Sequence, residues 1–145
     1  MSDKKNTNTT ISFQEVQFLK QSNEKMHLFY DVLVSWINLL QNGEKIEAIL
    51  RKRGYHSIAI YGMAELGQLL LNELLKTNIE VKCLIDQKAD MLEFNTKIVK
   101  PTEFDECVDA IIVTAVYNFS EIEKQMTSIS ECVCISLEEL VCQME

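Results

Sequence analysis

The sequence has no apolar run long enough to cross a membrane. Its longest apolar stretch, from about Leu28 to Leu40, is interrupted by Asp31 and Asn38, whereas a transmembrane helix needs about 20 apolar residues. The polar start, MSDKKNTNTT, lacks the apolar segment of a signal peptide. We therefore expect no membrane span, a disordered tail at 1–11 and a cytoplasmic location.

The sequence also lacks a Cys-x-x-Cys motif and an even number of cysteines. Five cysteines without a secretion signal do not indicate a disulfide framework. Cys132 and Cys134 are two residues apart, and such residues share one face of a strand. We interpret them as buried structural thiols. We predict no metal site, because His27 and His56 are remote from them and from each other.

The composition indicates one soluble globular domain. The chain has 145 residues, of which 47% are apolar and 25% charged, which excludes whole-chain disorder, collagen and a coiled-coil rod. The net charge of −8 argues against a nucleic-acid surface. Residues 1–54 carry eight Lys or Arg against six Asp or Glu, and 55–145 carry six against sixteen. This break predicts an N-terminal helical part at 12–54 and a second part at 55–145.

Helical patterns dominate the N-terminal part. Ser12 followed three residues later by Glu15 is a capping box, which predicts a helix start. Ser22 or Asn23 is a candidate cap for a second helix, and Asn42-Gly43 is typical of a helix end. The predicted helices span 12–22, 24–41 and 44–53.

The second predicted helix is apolar on two sides. One stripe has a clear 3.6-residue period. It consists of Leu28, Phe29, Val32, Leu33, Trp36, Ile37 and Leu40. A second row consists of Met26, Tyr30 and Val34, with Leu39 nearby. A helix that is apolar on two sides must be covered on both. We expect a homodimer through these helices, and burial of both sides within one chain is the alternative.

Strands and helices alternate from residue 55 onward. Alternation over about 90 residues predicts βαβ units with right-handed crossovers. We therefore predict an α/β fold, a Rossmann-like parallel sheet of about five strands in the order 3-2-1-4-5, preceded by the N-terminal helical segment. The predicted strands span 57–61, 79–85, 97–100, 108–114 and 132–135. The predicted helices span 63–76 and 119–128, and a last helix is capped by Ser136 with Glu139. In the helix at 63–76 we expect the leucines to be buried, namely Leu66, Leu69, Leu70, Leu74 and Leu75.

A glycine motif follows the first predicted strand. It reads Gly62, Met63, Ala64, Glu65, Leu66 and Gly67, a G-x-G-x-x-G pattern with alanine at the middle glycine. This context predicts a tight turn and a helix start whose free N–H groups accept an anion. Asp86 lies 19 residues further on, where a carboxylate accepts hydrogen bonds from ribose. The motif contains no Lys or Arg, so a turn kept only for folding is the alternative.

These segments resemble a known group of domains. The runs IAIYGMAELGQLLLNELL, IEVKCLIDQKAD, KIVKPTEFDE and VDAIIVTAVYNFSEIEKQM are similar to Rossmann-like domains of bacterial surface-polysaccharide proteins. That group includes the N-terminal domains of sugar acyltransferases and the nucleotide- or CoA-binding-like domains before membrane-linked sugar epimerase-dehydratases. The resemblance covers about 56–135 and implies nucleotide or nucleotide-sugar binding.

The resemblance also implies site residues. Gly62, Gly67 and Asp86 match the pattern of the group, whereas Ala64 departs from it. The dipeptide Thr114-Ala115 falls where a ligand would pass the fourth strand. The β-helix of the acyltransferases and the Ser/Thr-Tyr-Lys set of the epimerases are absent from this sequence.

We therefore expect a non-catalytic module that binds a nucleotide, a nucleotide-sugar or a dinucleotide such as NAD(P). The resemblance implies an accessory role in surface polysaccharide, or capsule, biosynthesis. One alternative is an interaction domain with a vestigial site that docks on a glycosyltransferase or another biosynthetic enzyme. The other is an NAD-dependent oxidoreductase or a sugar epimerase fragment, although no acid and base have catalytic spacing.

Overall fold

The structure is a computed structural model that describes residues 12–143. Five α-helices and five strands are formed in these residues. The helices are α1 (Phe13–Gln41), α2 (Ile46–Lys52), α3 (Glu65–Leu74), α4 (Phe119–Thr127) and α5 (Leu137–Val141). The strands are β1 (Ser57–Tyr61), β2 (Glu80–Ile85), β3 (Ile98–Val99), β4 (Ala110–Val113) and β5 (Val133–Ser136). Short 3-10 helices lie at Ala89–Met91, Pro101–Glu103 and Val116–Asn118. The predicted tail at 1–11 lies outside the described residues.

The sheet has the predicted topology. Its five strands are parallel in the order β3-β2-β1-β4-β5, which confirms a Rossmann-like α/β fold. At the carboxyl end of β1, Tyr61 is paired with Ile85 of β2 and Val113 of β4. The sequence order reverses between β1 and β4, so the edge beyond these residues is where such sheets bind ligands.

Both faces of the sheet are covered. Alternate residues of β1 point to opposite faces, so Ile58 and Ile60 belong to one buried cluster and Ala59 and Tyr61 to another. The first cluster includes side chains of α1, α2, α3 and α5, and the second includes those of α4. Burial on both faces explains why β1 and β4 are nearly continuous apolar runs.

The prediction of two helices at 12–22 and 24–41 was wrong, because α1 is one continuous helix of 29 residues. The capping box at its start is confirmed: the Glu15 N–H donates to Ser12 Oγ, and the Ser12 N–H donates to Glu15 Oε1, both at 3.0 Å. Ser22 and Asn23 therefore do not cap a helix. Each disfavours a helix interior by only about half a kcal/mol, which does not interrupt it.

The burial prediction for the helices is only partly confirmed. On α1 the buried residues are Val32, Trp36 and Leu39, whereas Ile37 and Leu40 are exposed, so the described residues do not bury both sides of the helix within one chain. On α3, Leu69 and Leu75 were predicted to be buried but are exposed, whereas Leu71 is buried. The same cause explains both observations. A single sheet covers only one side of each helix, and apolar spacing does not identify which side that is.

Glu73 of α3 joins the N-terminal helices to the α/β core. Its Oε1 accepts a hydrogen bond from Trp36 Nε1 at 2.8 Å, and its Oε2 accepts one from the Ile46 N–H at 3.1 Å. The second bond satisfies a free N–H at the start of α2, where Lys45 provides no side-chain cap. One carboxylate thus connects α1, α2 and α3.

The last helix begins at the predicted cap but without a capping box. Ser136 Oγ accepts from the Glu138 N–H at 3.2 Å, whereas the predicted partner Glu139 forms an ion pair with Arg53 at 2.8 Å. None of the helices described in 12–143 is long and apolar enough to cross a membrane.

Candidate functional site

Gly62 forms the tight turn at the carboxyl end of β1. Its φ is +101°, a value that favours glycine. A Cβ at this position would stand 2.7 Å from Thr114 Oγ1. The Gly62 N–H donates to the Ile85 carbonyl at 2.8 Å, which keeps the turn beside β2. The structural role that the motif predicts for Gly62 is therefore confirmed.

Gly67 lets α3 approach this turn closely. A Cβ at Gly67 would overlap the carbonyl oxygen of Gly62. The close approach predicted for helix and strand is confirmed, and it places the first turn of α3 directly beyond β1. Met63 between them is buried, so its side chain belongs to the core.

The start of α3 presents free backbone donors. The first intrahelical bond runs from the Gln68 N–H to the Ala64 carbonyl at 3.0 Å. The N–H groups of Glu65, Leu66 and Gly67 precede it and have no acceptor within the helix. Ala64 is the N-cap and supplies no side-chain cap. This helix end is therefore positioned to attract an anion.

Asp86 follows β2 and is bound to the same turn. Its Oδ2 accepts from the Met63 N–H and its Oδ1 from the Lys88 N–H, both at 2.8 Å. The Met63 donor is thus occupied by the protein itself. Each carboxylate oxygen still has a second lone pair, so Asp86 retains the capacity to accept a hydrogen bond from a ligand hydroxyl. The sequence predicted the place of Asp86 but not this bond.

Thr114 is buried at the end of β4 and acts on the turn. Its hydroxyl lies 2.5 Å from the Gly62 carbonyl and 3.1 Å from the Tyr61 carbonyl. The Thr114 N–H also donates to the Tyr61 carbonyl oxygen at 2.9 Å. Thr114 thus orients the glycine turn, while the half-buried Ala115 beside it contributes its methyl group to the wall of a cavity.

This cavity, of about 320 Å³, opens at the carboxyl ends of β1 and β4. Most of the residues predicted for the site meet here. The lining consists of Lys25, Phe29, Gly62, Ala64, Glu65, Leu66, Asp86, Thr114, Ala115, Val116, Tyr117 and Asn118. Of the predicted set, Met63 and Gly67 lie behind the wall and shape it without lining it.

Two lining residues come from α1 and were missed by the sequence reasoning. Lys25 and Phe29 extend over the cavity from the helical segment. Lys25 Nζ lies 5.2 Å from the centre of the Tyr117 ring, a cation–π arrangement. Lys25 supplies the cation that the glycine motif lacks. No local signal predicted this, because α1 meets the motif only through tertiary packing.

The titratable groups near this edge do not form an acid–base pair. The ionisable side chains of the lining are those of Lys25, Glu65, Asp86 and Tyr117. Burial raises the pKa of Tyr61, whose hydroxyl donates to Gln125 Oε1 at 3.0 Å on the α4 side of the sheet. Tyr61 is therefore a packing residue at the strand end.

The interpretation of Cys132 and Cys134 as buried thiols is confirmed for Cys134 and only in part for Cys132. Cys134 is buried, Cys132 is partly buried against the same cluster, and burial raises the pKa of Cys134 to about 11. Within 12–143, no cluster of three or more His, Cys, Asp or Glu residues could hold a metal ion.

The fold and the glycine turn define a Rossmann-like α/β domain with a cavity at the reversal of its strand order. Residues 54–132 match the model of the family described as C2185-like, N-terminal. Because this match covers more than half of the chain, the protein belongs to that family. No curated protein and no solved structure matches the chain.

Proposed function

We propose that this domain is a non-catalytic binding module for a nucleotide or nucleotide-sugar. The observation that carries the proposal is the 320 Å³ cavity at the carboxyl edge of the sheet, where free helix donors, a cation, a carboxylate and aromatic rings converge. Cavities of this kind, with few polar groups on an apolar wall, are typical ligand sites.

A phosphate group fits the start of α3. The N–H groups of Glu65 and Leu66 and the positive end of the helix dipole favour an anion there. Lys25 adds a full positive charge from across the cavity. It compensates Glu65, whose carboxylate would otherwise repel the ligand, and it explains how an acidic domain would bind a phosphate.

A sugar and a base fit the remaining walls. Asp86 is positioned to accept a hydrogen bond from a ribose hydroxyl, and Phe29 and Tyr117 offer aromatic surfaces. A volume of 320 Å³ is at the lower end of the range of about 300–1,000 Å³ for ligand sites. This favours a mononucleotide, or the nucleotide part of a nucleotide-sugar, over a complete NAD(P).

The absence of catalysis is proposed from the roles that the lining groups already have. Asp86 accepts two backbone hydrogen bonds, and Lys25 lies over the ring of Tyr117. Neither carboxylate of the lining is paired with a base. Such a site orients a ligand but does not transfer a proton. We further propose a cytoplasmic accessory role in surface-polysaccharide biosynthesis, which rests on the resemblance over 56–135.

Ligand-induced stabilisation tests the proposal. A thermal-shift panel would contain AMP, UDP-sugars, CoA, NAD(H) and NADP(H). A ligand at about 100 times its Kd raises the free energy of unfolding by about 2.7 kcal/mol. We expect a shift with a mononucleotide or nucleotide-sugar. Lys25→Met should weaken binding about 10- to 100-fold, because a charged hydrogen bond contributes about 1.5–3 kcal/mol.

Two further variants complete the test. Lys76→Met removes an exposed lysine just beyond the far end of α3 and should leave the affinity unchanged. Asp86→Asn should weaken ligands that contain ribose. If no compound shifts the unfolding temperature, the binding function is rejected.

An interaction domain with a vestigial site is the second candidate function. It is favoured by the bond from the Met63 N–H to Asp86, because the protein's own carboxylate occupies one donor of the turn. In this case the turn serves folding alone, and the domain docks on a biosynthetic enzyme. The ligand panel separates the two candidates.

We also propose that the protein is a homodimer through α1. The support is the side of α1 that faces away from the sheet. It exposes Met26, Tyr30, Val34 and Ile37, each by at least 39%. Exposed apolar side chains on consecutive helical turns are typical of an interaction surface.

A further inference from the structure

The apolar side of α1 has the spacing of a coiled coil. We infer that α1 pairs with α1 of a second copy as a parallel, in-register, two-stranded coiled coil. This inference rests on the proposed homodimer and specifies its orientation and register. It is independent of the ligand site, so that either can fail without the other.

The first half of α1 makes few contacts with the rest of the described residues, 12–143, apart from Lys25 over the Tyr117 ring. Every residue from 13 to 21 is exposed, and no residue from 13 to 27 is buried. The buried residues of α1 begin at Val32. A helical stretch without packing is marginally stable in water, and pairing with a second copy would stabilise this stretch of α1.

Apolar residues recur along α1 at alternating intervals of three and four. The eight positions are Val16, Leu19, Asn23, Met26, Tyr30, Leu33, Ile37 and Leu40. Only Asn23 is polar. An alternation of three and four is the heptad repeat of a left-handed coiled coil. These positions form a seam about 36 Å long at 1.5 Å per residue, and all except the half-buried Leu33 are exposed.

The residue types in the seam favour two parallel strands. In heptad notation the a positions are Val16, Asn23, Tyr30 and Ile37, and the d positions are Leu19, Met26, Leu33 and Leu40. β-Branched residues at a with leucine at d favour parallel dimers. One asparagine at an a position sets register, because it is satisfied when it meets the same asparagine of the partner helix. Asn23 has that place here.

Charges beside the seam favour the same orientation. Glu15 is at a g position and Lys20 at the next e position. In a parallel in-register pair, Glu15 of each copy faces Lys20 of the other, an attractive arrangement that occurs twice. Antiparallel pairing would place both residues opposite the second half of the partner's α1, whose e and g positions include Phe29, Val34 and Trp36 and are all uncharged.

The seam and the cavity use different sides of α1. Lys25 and Phe29, which line the cavity, are not among the eight seam positions. Trp36 and Val32 pack on the core and are also outside the seam, and Leu33 is the one seam position that packs partly against the core. Pairing therefore does not require the helix to leave its own domain or the cavity to be filled by the partner.

Sedimentation velocity of the full chain at tens of micromolar tests the pairing. We expect wild type to sediment as a dimer and Met26→Glu as a monomer, because the change buries a carboxylate in the seam. The control Gln21→Glu adds the same charge at an exposed f position, away from the seam, and should remain dimeric. Met26 is 67% exposed, so far-ultraviolet circular dichroism should show the monomer folded.

Disulfide trapping tests the orientation. In a background with Cys107→Ser and Cys142→Ser, Asn23→Cys should form a covalent dimer under mild oxidation, whereas Gln21→Cys should not. A monomeric wild type would overturn both the homodimer and the inference. A dimer unaffected by Met26→Glu would overturn the seam but retain the homodimer. A Met26-dependent dimer in which Asn23→Cys does not crosslink would overturn the parallel register.

Discussion

Replacement of Gly67 by alanine tests the close approach of α3 to the turn after β1. In a helix interior, Gly→Ala ordinarily stabilises by about 1 kcal/mol. Here the new Cβ would overlap the Gly62 carbonyl oxygen, and that oxygen is held in place by the Thr114 hydroxyl. The helix must therefore shift away from the turn, which disturbs its packing on the buried core. Such overpacking lowers the free energy of unfolding by about 1–3 kcal/mol or more. We expect Gly67→Ala to lower the free energy of unfolding by about 2–3 kcal/mol.

Urea unfolding, followed by the fluorescence of the single tryptophan at constant protein concentration, measures this change. Gly43→Ala is the matched control. Gly43 has a φ of +82°, but a Cβ there would meet no atom within 4 Å, so only backbone strain of about 1–2 kcal/mol applies. The key observation is whether Gly67→Ala lowers or raises the free energy of unfolding. A Gly67→Ala protein as stable as wild type would refute the close packing of α3 on the turn.

Three further predictions concern stability and reactivity. Glu73→Ala should lower the free energy of unfolding by about 2 kcal/mol, because two partly buried N–H donors lose their acceptor; urea unfolding with no loss would contradict this. Two backbone N–H groups at the start of β1 hold the pKa of Asp109 below its ordinary value. The stability from Asp109 is complete above the unfolded-state pKa of about 3.9 and is lost as the pH falls through the folded-state pKa. Wild type should therefore lose more stability on acidification from pH 5 to 3 than Asp109→Asn, whereas equal losses would disprove the role of the carboxylate. In native protein, Cys107 should react with Ellman's reagent before Cys83 and Cys134, because Cys107 is exposed and burial raises the pKa of the other two to about 11; mass spectrometry that finds the buried pair labelled first would oppose this.

The sheet could be predicted from the sequence because its signals are local and repeated. The strands β1, β4 and β5 are short apolar runs followed by a helical pattern, and right-handed crossovers leave few topologies. The glycine turn could also be predicted from the sequence. Gly62 and Gly67 are required by backbone geometry, and that requirement is visible in the spacing of the motif.

The wrong predictions concern a helix boundary and the buried side of a helix, which short sequence patterns specify only weakly. In isolation, Ser22 and Asn23 resemble an N-cap. Each disfavours a helix interior by only about half a kcal/mol, so α1 continues through both residues. Leu69 was placed inside because its apolar period was correct, although the sheet covers only one side of α3. Which side a helix buries is decided by tertiary packing.

The composition of the cavity was only half predictable for the same reason. The position of Asp86 follows from its spacing to the glycine motif. Its hydrogen bond to the Met63 N–H depends on the register between β1 and β2, which the spacing does not give. Lys25 and Phe29 are more than 30 residues before the motif, and α1 brings them to it by packing across the sheet. No spacing rule connects such positions.

We propose above that the cavity beyond β1 and β4 binds a nucleotide. The most direct test is a titration of ¹⁵N-labelled protein with AMP and with UDP-glucose, observed through the amide resonances. Binding in this cavity should shift only the amide resonances of the glycine turn from Gly62 to Gly67, of Asp86, of 114–118 and of the part of α1 around Lys25. No shift at millimolar nucleotide, or shifts located only at the opposite edge of the sheet, would contradict it.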